Sequence, residues 1–245
     1  MRILHVEQIS SSSRDLSQYL RSQSVIADPV ESAEDALELA RHYDYDLILA
    51  DLALPDMDGI EFARRLRLAR LDTPILMLSQ GFRAEARIKA FSAGVDDVVQ
   101  KPCDKVELMA RMQAIVRRIK GFSGPSLRVG PLVLKQDSRE VTVSGTEVRL
   151  TGKEYAILEL LVLRKNTVLT KDAFLNHLYG GMDEPEAKII DVFVCKLRKK
   201  LALAGAESLI GTVWGRGYML KEPTTMAGSG RAGGSPALDA VLTAA

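Results

Sequence analysis

Leu47-Ile48-Leu49-Ala50-Asp51 is a short apolar run closed by an acid, and a segment of helical spacing, 59–70, follows it. An apolar run without alternation describes a strand buried on both faces. The same unit recurs on either side. Ile3-Leu4-His5-Val6 precedes 14–23, where Leu16, Tyr19 and Leu20 fall at i, i+3 and i+4, and 31–42 is again helical. Ile75-Leu76-Met77-Leu78 is followed by 83–93. Val95 to Val99, interrupted by two aspartates, is followed by 104–120, whose inner face is Val106, Leu108, Met109, Met112, Ile115 and Val116. Five strands alternating with five helices predict an α/β fold for residues 1–120, a doubly wound parallel sheet covered on both faces. Such sheets present ligand-binding groups at the carboxyl ends of their strands.

Gly121-Phe122-Ser123-Gly124-Pro125-Ser126 breaks the pattern and reads as a linker. Beyond it, Leu127 to Leu134 and Glu140 to Leu150 alternate with period 2, the mark of antiparallel hairpins. Thr151 to Leu163 opens with a capping box, Thr151-x-x-Glu154. Segments 170–179 and 184–203 are helical, and a glycine-rich hairpin, Ile210 to Leu220, closes an α+β domain over 127–222. Residues 223–245 are Gly, Ala, Ser and Thr with few charges, and a disordered tail is expected there.

Composition excludes several classes. No apolar window is long enough to span a membrane, and Glu7 interrupts the first residues before any leader core could form. Cys103 and Cys195, far apart, form neither a disulfide framework nor a metal cluster, so a reducing, cytoplasmic setting is expected. Neither G-x-G-x-x-G after a strand nor G-x-x-x-x-G-K-[ST] occurs. The net charge of +1 divides unevenly. Residues 1–120 carry 17 Lys and Arg against 19 Asp and Glu, whereas 126–222 carry 15 against 12. The basic excess lies in the second domain and hints at an anionic partner there.

Glu7, Asp51, Ser79 and Lys101 end the first, third, fourth and fifth strands, which converge on one mouth. A carboxylate there can hold a hard divalent cation or attack phosphorus, while a lysine and a hydroxyl hold phosphoryl oxygens. With Asp51-Leu52-Ala53-Leu54-Pro55-Asp56-Met57-Asp58-Gly59, this set resembles the receiver domain of two-component response regulators. The resemblance implies that Asp51 is the phosphoacceptor, Ser79 the switch hydroxyl and Lys101 the family lysine. It also implies that Gly59 sits at a turn needing positive φ. A Mg²⁺ ion would be held by Glu7, Asp51, the Ala53 carbonyl and, weakly, Gln8. Gln8 stands where the family has a second acid, so Mg²⁺ binding should be weak. Gln80 follows the switch hydroxyl where a small residue is usual, Val98 occupies the place of the switch aromatic, Cys103 replaces a frequent Phe, and His5 sits at an apolar strand position. These departures leave two readings open: weakened phosphorylation chemistry, or ordinary drift with function intact. Lys89, Asp96, Asp97, Glu107 and Arg111 match the family's face for pairing two receivers.

In 184–203, acids and Pro185 lie at the start and bases at the end. Ile190, Val194, Leu197 and Leu201 make the buried stripe, which leaves Lys188, Val192, Cys195, Lys196 and Lys199 on the other face. A basic helix so placed can enter a major groove. Leu150-Thr151-Gly152-Lys153-Glu154-Tyr155, the run Val192 to Leu201, and Thr212-Val213-Trp214-Gly215-Arg216-Gly217-Tyr218 together resemble the winged-helix domain of the OmpR/PhoB family. Phe174 to Glu186 and Tyr43-Asp44-Tyr45-Asp46-Leu47-Ile48-Leu49 resemble an alphaproteobacterial cell-cycle branch of that family, the receiver being the more diverged half. By position, Lys188, Val192, Cys195 and Lys196 should face base edges, and Arg198, Lys199 and the Thr151 helix start should meet phosphates. Thr212 belongs to the same surface, and Arg216 suits a narrow minor groove. Trp214 could pack on sugar-phosphate or under the wing.

The resemblance implies a dimeric transcription regulator rather than an enzyme with turnover. Its partners would be promoter DNA carrying tandem TTAA half-sites, a histidine kinase or phosphotransfer protein, RNA polymerase, and a second copy through the receiver. One rival is a DNA binder indifferent to phosphorylation. The other is a phosphotransfer enzyme or phosphatase built on the same acids, although no second acid stands in a D-x-D pattern with Asp51.

Overall fold

The computed structural model describes residues 1–81, 83–180 and 185–222. Strands β1 (Arg2–Val6), β2 (Ile26–Val30), β3 (Leu47–Asp51), β4 (Ile75–Ser79) and β5 (Asp97–Gln100) form one parallel sheet in the order β2-β1-β3-β4-β5. Helices α1 (Ser11–Ser22) and α5 (Lys105–Ile119) cover one face; α2 (Ala33–His42), α3 (Gly59–Leu68) and α4 (Ala84–Ser92) cover the other. Successive strand residues point to opposite faces. Ile3, Leu47, Leu49, Leu76 and Leu78 therefore pack with Leu16, Leu20, Leu108 and Met112, while Leu4, Ile48, Ala50, Ile75 and Met77 pack with Leu37, Phe62 and Leu66. The strand order reverses between β1 and β3, and the ends of those two strands carry Glu7 and Asp51.

The sequence expectations differ in four places. β2, Ile26-Ala27-Asp28-Pro29-Val30, has no continuous apolar run, because an edge strand half open to solvent tolerates both Asp28 and Pro29. α1 begins at Ser11, earlier than its apolar spacing suggests, because Ser10 and Ser13 form a capping box. Val106 is 66% exposed rather than inward, lying two residues before Leu108, where the buried stripe of α5 begins, and so on the opposite side of the helix. Phe122, within the expected linker, is buried.

Strands β6 (Leu127–Val129), β7 (Leu132–Leu134), β8 (Val141–Val143) and β9 (Thr146–Glu147) form an antiparallel sheet. Helices α6 (Gly152–Leu163), α7 (Lys171–Tyr179) and α8 (Lys188–Leu203) follow, and β10 (Ile210–Val213) pairs with β11 (Gly217–Leu220) as a closing hairpin. α6 is apolar on nearly every side and forms the centre of this unit. Its first turn is fixed by the expected capping box, in which the Thr151 hydroxyl accepts from Glu154 N–H and the Glu154 carboxylate accepts from Thr151 N–H. Glu154 also receives Lys200 Nζ at 2.6 Å, which ties the start of α6 to α8. α8 begins at Lys188, so Pro185 and Glu186 precede it and Asp191 is the acid of its first turn. The expected helical residue Glu184 and the tail 223–245 lie outside the described residues. Among the described residues no helix is long and apolar enough to cross a membrane.

Candidate functional site

The acidic strand ends meet around one ammonium group. Lys101, just past β5, places Nζ 2.6 Å from Glu7 Oε1 and 2.6 Å from Asp51 Oδ1. Its position is set by the backbone, since Lys101 N–H donates to Ser79 O and Leu52 N–H to Leu78 O, which extends the sheet beyond the formal strands. The second oxygen of Glu7 pairs with His5 Nε2 at 3.0 Å, and both side chains are buried. His5 and Glu7 are two apart on β1 and share a face. That spacing was available in the sequence, yet His5 stood out there only as a polar residue at an apolar strand position.

Electrostatics separates the two carboxyls. Burial pushes the Glu7 carboxyl up, but hydrogen bonds from His5 and Lys101 outweigh it and hold the group below its ordinary range. For Asp51, burial raises the carboxyl and the facing Glu7 charge adds to it; Lys101 offsets only part. Burial alone would lower Lys101, but contact with both acids holds it above its usual value. The Ser79 hydroxyl donates to Gly81 O at 3.1 Å and accepts Gly81 N–H, within a local turn.

Gly59 corrects an expectation. It is the first residue of α3, not a positive-φ turn residue. It must be glycine for another reason: an added Cβ would lie 2.6 Å from Asp51 O and 2.9 Å from Leu52 Cα. The close approach seats the start of α3 on the strand that carries Asp51. Asp56, which sequence reasoning passed over, accepts Ala33 N–H and Glu34 N–H at 2.9 Å each and fixes the loop to the start of α2.

The donor set does not fit a Mg²⁺ ion. The two carboxylates that would face it are bridged by Lys101, the remaining Glu7 oxygen is on His5, and Gln8 is a neutral, exposed amide. Among the described residues no group of three His, Cys, Asp or Glu is arranged to hold a metal. Ala53 lies nearby in an isolated bridge to Asp58. The ammonium supplies the positive charge that a cation would otherwise bring.

On α8, Ile190, Val194, Leu197 and Leu201 are buried, and Lys188, Val192, Cys195, Lys196 and Lys199 are exposed along one face, as the spacing predicted. Trp214 is 91% exposed at the hairpin tip beside exposed Arg216, so it does not pack under the wing. Arg198 departs from the phosphate role expected of it. Its Nε donates to Ile210 O at 3.1 Å, its Nη2 donates to Thr212 Oγ1 at 2.8 Å, and its guanidinium stands 5.5 Å from the Tyr218 ring. It joins the helix to the hairpin instead. Asp191 does the same from the other end, accepting Tyr218 O–H at 2.6 Å and Lys171 Nζ at 2.7 Å.

The family description "Response regulator receiver domain" matches residues 3–113, and "Transcriptional regulatory protein, C terminal" matches 145–220. The cell cycle response regulator CtrA of Brucella anthropi is 53% identical over 224 residues, 91% of this chain and 97% of its own. The chain belongs to the CtrA family of response regulators. The cell cycle transcriptional regulator CtrA of Caulobacter vibrioides is 50% identical over the same shares. Among solved structures, the OmpR/PhoB homologue DrrB of Thermotoga maritima aligns over 90% of this chain and 98% of its own, at 25% identity and a TM-score of 0.44.

For this CtrA-family receiver, the residues expected to pair two copies are largely occupied within the chain. Arg111 reaches Asp97 at 3.0 Å and Glu107 at 2.7 Å. Asp96 accepts Ile75 N–H at 2.8 Å and faces Arg67 at 3.3 Å. Lys89 is exposed. Beside it, Ile88 and Phe91 are exposed on the same helix, one turn apart. Sequence reasoning named the charges and missed these two apolar residues, although their spacing of three was legible.

Proposed function

We propose that the chain regulates transcription by binding promoter DNA through α8 and the β10–β11 wing, as a dimer joined through α4, β5 and α5, with a receiver that accepts phosphate at Asp51 weakly. One observation carries the DNA-binding part: a single face of α8 holds Lys188, Val192, Cys195, Lys196 and Lys199 clear of the core, with exposed Trp214 and Arg216 at the wing tip. Lys188, Val192, Cys195 and Lys196 suit base edges and Lys199 a phosphate. Trp214 suits a sugar-phosphate surface and Arg216 a minor groove. Tandem TTAA half-sites are the expected target. Ile88 and Phe91 supply the apolar centre of the pairing face, with Lys89, Asp97, Glu107 and Arg111 around it. RNA polymerase is the partner through which bound protein alters transcription.

DNA binding is tested by separating its two contributions. Lys199→Ala should weaken all duplexes alike and reduce the log–log salt slope by about 0.9. Lys196→Ala should cost about 1–3 kcal/mol on the specific site and less on random duplex. Both variants are titrated on a TTAA-containing duplex and a scrambled one at several salt concentrations. Equal losses on both duplexes would mean that the helix supplies charge alone.

For the receiver, Asp51 Oδ attacks phosphorus of a phosphohistidine or acyl phosphate, forming a P–O bond as the donor leaves with the electron pair of the breaking bond. Asp51 is partnered by Lys101 and its ionised form is disfavoured by burial, which supports slow transfer. Intact mass after acetyl phosphate treatment, beside Asp51→Asn, measures it. Gln8→Asp, by adding a third carboxylate, should bring measurable Mg²⁺ binding to a donor set that does not fit the ion. Equal affinity of the two proteins for Mg²⁺ would show that position 8 does not face the metal.

A further inference from the structure

The lysines and arginines of α6, α7 and α8 fall into two groups. Lys188, Lys196 and Lys199 are exposed on the outer face of α8. The other four each have a partner. Lys153 Nζ donates to Leu178 O at 2.7 Å and lies 3.9 Å from the centre of the Tyr179 ring, which joins α6 to α7. Lys200 reaches Glu154 and joins α8 to α6, and Arg198 joins α8 to β10. The fourth, Lys171, places Nζ 2.7 Å from Asp191 Oδ2.

This last pair is not explained by joining elements. Asp191 is the single acid of α8, beside five lysines and arginines, and it does not cap the helix, whose N-cap is Ala187. Its Oδ1 accepts Tyr218 O–H at 2.6 Å, and that bond already ties the helix to the hairpin. The Lys171 and Asp191 side chains are 39% and 41% exposed, and a pair so open to water adds little to folding. Lys171 is the first residue of α7, just past the backbone bridge between Leu169 and Tyr218. In a helix-turn-helix the helix ahead of the reading helix crosses the phosphate backbone. On the proposed docking, Lys171 therefore stands where a phosphate contact is expected. Asp191 cancels its charge. Whichever way the ammonium turns, the two groups sum to zero, and no counterion is released on their account.

We infer that Asp191 is a specificity-determining residue: it withholds Lys171 from the phosphate backbone, so that the charge α7 and α8 offer a duplex is confined to the face that reads bases. This rests on the reading of α8 and the wing as the DNA-binding surface. Non-specific binding is almost wholly counterion release, so one withheld lysine weakens it in full. A specific complex is held in one register and draws on base contacts as well. A released lysine gains there only what that register brings within its reach.

A charge cycle in the full chain tests the inference. Asp191→Asn keeps an oxygen for Tyr218 and removes the charge, and Lys171→Met keeps the stem and removes the ammonium. Asp191→Asn should steepen the log–log salt slope on the scrambled duplex by about 0.9. It would then lose about 3.5-fold more affinity than wild type between roughly 50 and 200 mM salt. The preference for the TTAA-containing duplex should narrow. Lys171→Met should flatten the slope, and the double variant should return it to the wild-type value. Glu38→Gln, at an exposed acid of α2, makes the same charge change in the receiver and should leave the slope as it was. Equal slopes for Asp191→Asn and wild type overturn the inference, as does the same steepening in Glu38→Gln or in the double variant. Weaker binding to both duplexes at an unchanged slope would assign Asp191 to packing and overturn it too. If the wild-type chain binds neither duplex, the DNA-binding reading itself fails. Binding with an unchanged slope defeats the inference and leaves that reading intact.

Discussion

Gly217→Ala is expected to cost more than about 4 kcal/mol and to abolish specific DNA binding. An added Cβ would stand 2.0 Å from Leu169 O and 2.9 Å from Leu169 C, and φ at this residue is 140°. The obstruction is backbone, so no side-chain rotation relieves it. Leu169 and Tyr218 exchange both backbone hydrogen bonds across this contact, at 2.8 and 3.0 Å. To admit a methyl group, β11 must leave Leu169 and forfeit that pair, worth about 1 kcal/mol each, besides the strain at φ. Tyr218 would then lose Asp191 as well, which loosens α8 from the wing. Urea unfolding of the variant and wild type, followed by far-ultraviolet circular dichroism, gives the cost. A change in midpoint equivalent to less than about 1 kcal/mol would mean that the wing is not built on Leu169.

Lys101→Met should give the second large effect, about 3–5 kcal/mol of destabilisation at neutral pH, because it leaves two largely buried carboxylates facing each other without their cation. The methionine keeps the apolar stem, so the loss reports charge rather than packing. The pH dependence has a definite sign. In the intact protein the Glu7 carboxyl is held low, so its contribution is present above the unfolded-state value and is lost as pH falls through the folded-state value. Without Lys101, burial and the facing Glu7 charge act on Asp51 without their main counterweight and raise it further, while Glu7 keeps His5. A group raised on folding favours the folded state when protonated, so the deficit of the variant should shrink as pH is lowered from 7 towards 5. Thermal melts of both proteins across that range check the sign, and a deficit that grows on acidification would refute it. Mg²⁺ should raise the melting temperature of the variant more than that of wild type, since it can replace the missing charge.

The receiver was legible because its central strands are buried on both faces and announce themselves as apolar runs, those of β1 and β3 closed by Glu7 and Asp51 and that of β4 by Ser79. β2 was not, because an edge strand carries no such run and accepts Asp28 and Pro29. The strand-end set Glu7, Asp51, Ser79 and Lys101 followed from topology and spacing. That Lys101 bridges the two acids, and that His5 takes the remaining Glu7 oxygen, depends on side-chain geometry that no spacing rule supplies. On α8 the heptad-like stripe fixed the exposed face correctly. Arg198 was misread because it lies at the border of that face, where a small rotation decides between solvent and the Ile210 carbonyl. Gly59 was assigned to the right place for the wrong cause, since close approach and positive φ leave the same letter in a sequence.

The pin that Arg198 makes between α8 and β10 has a consequence for what the domain can sense. With Asp191 holding the hairpin from the other end, helix and wing tip form a caliper of fixed opening. On the proposed docking, a duplex would offer its major groove to one arm and the adjacent minor groove to the other at that separation. Sequences that already have the right groove spacing fit without work, while stiffer or differently twisted ones must be bent to fit. On that docking, base pairs lying between the two arms, touched by neither, would acquire a say in where the protein binds.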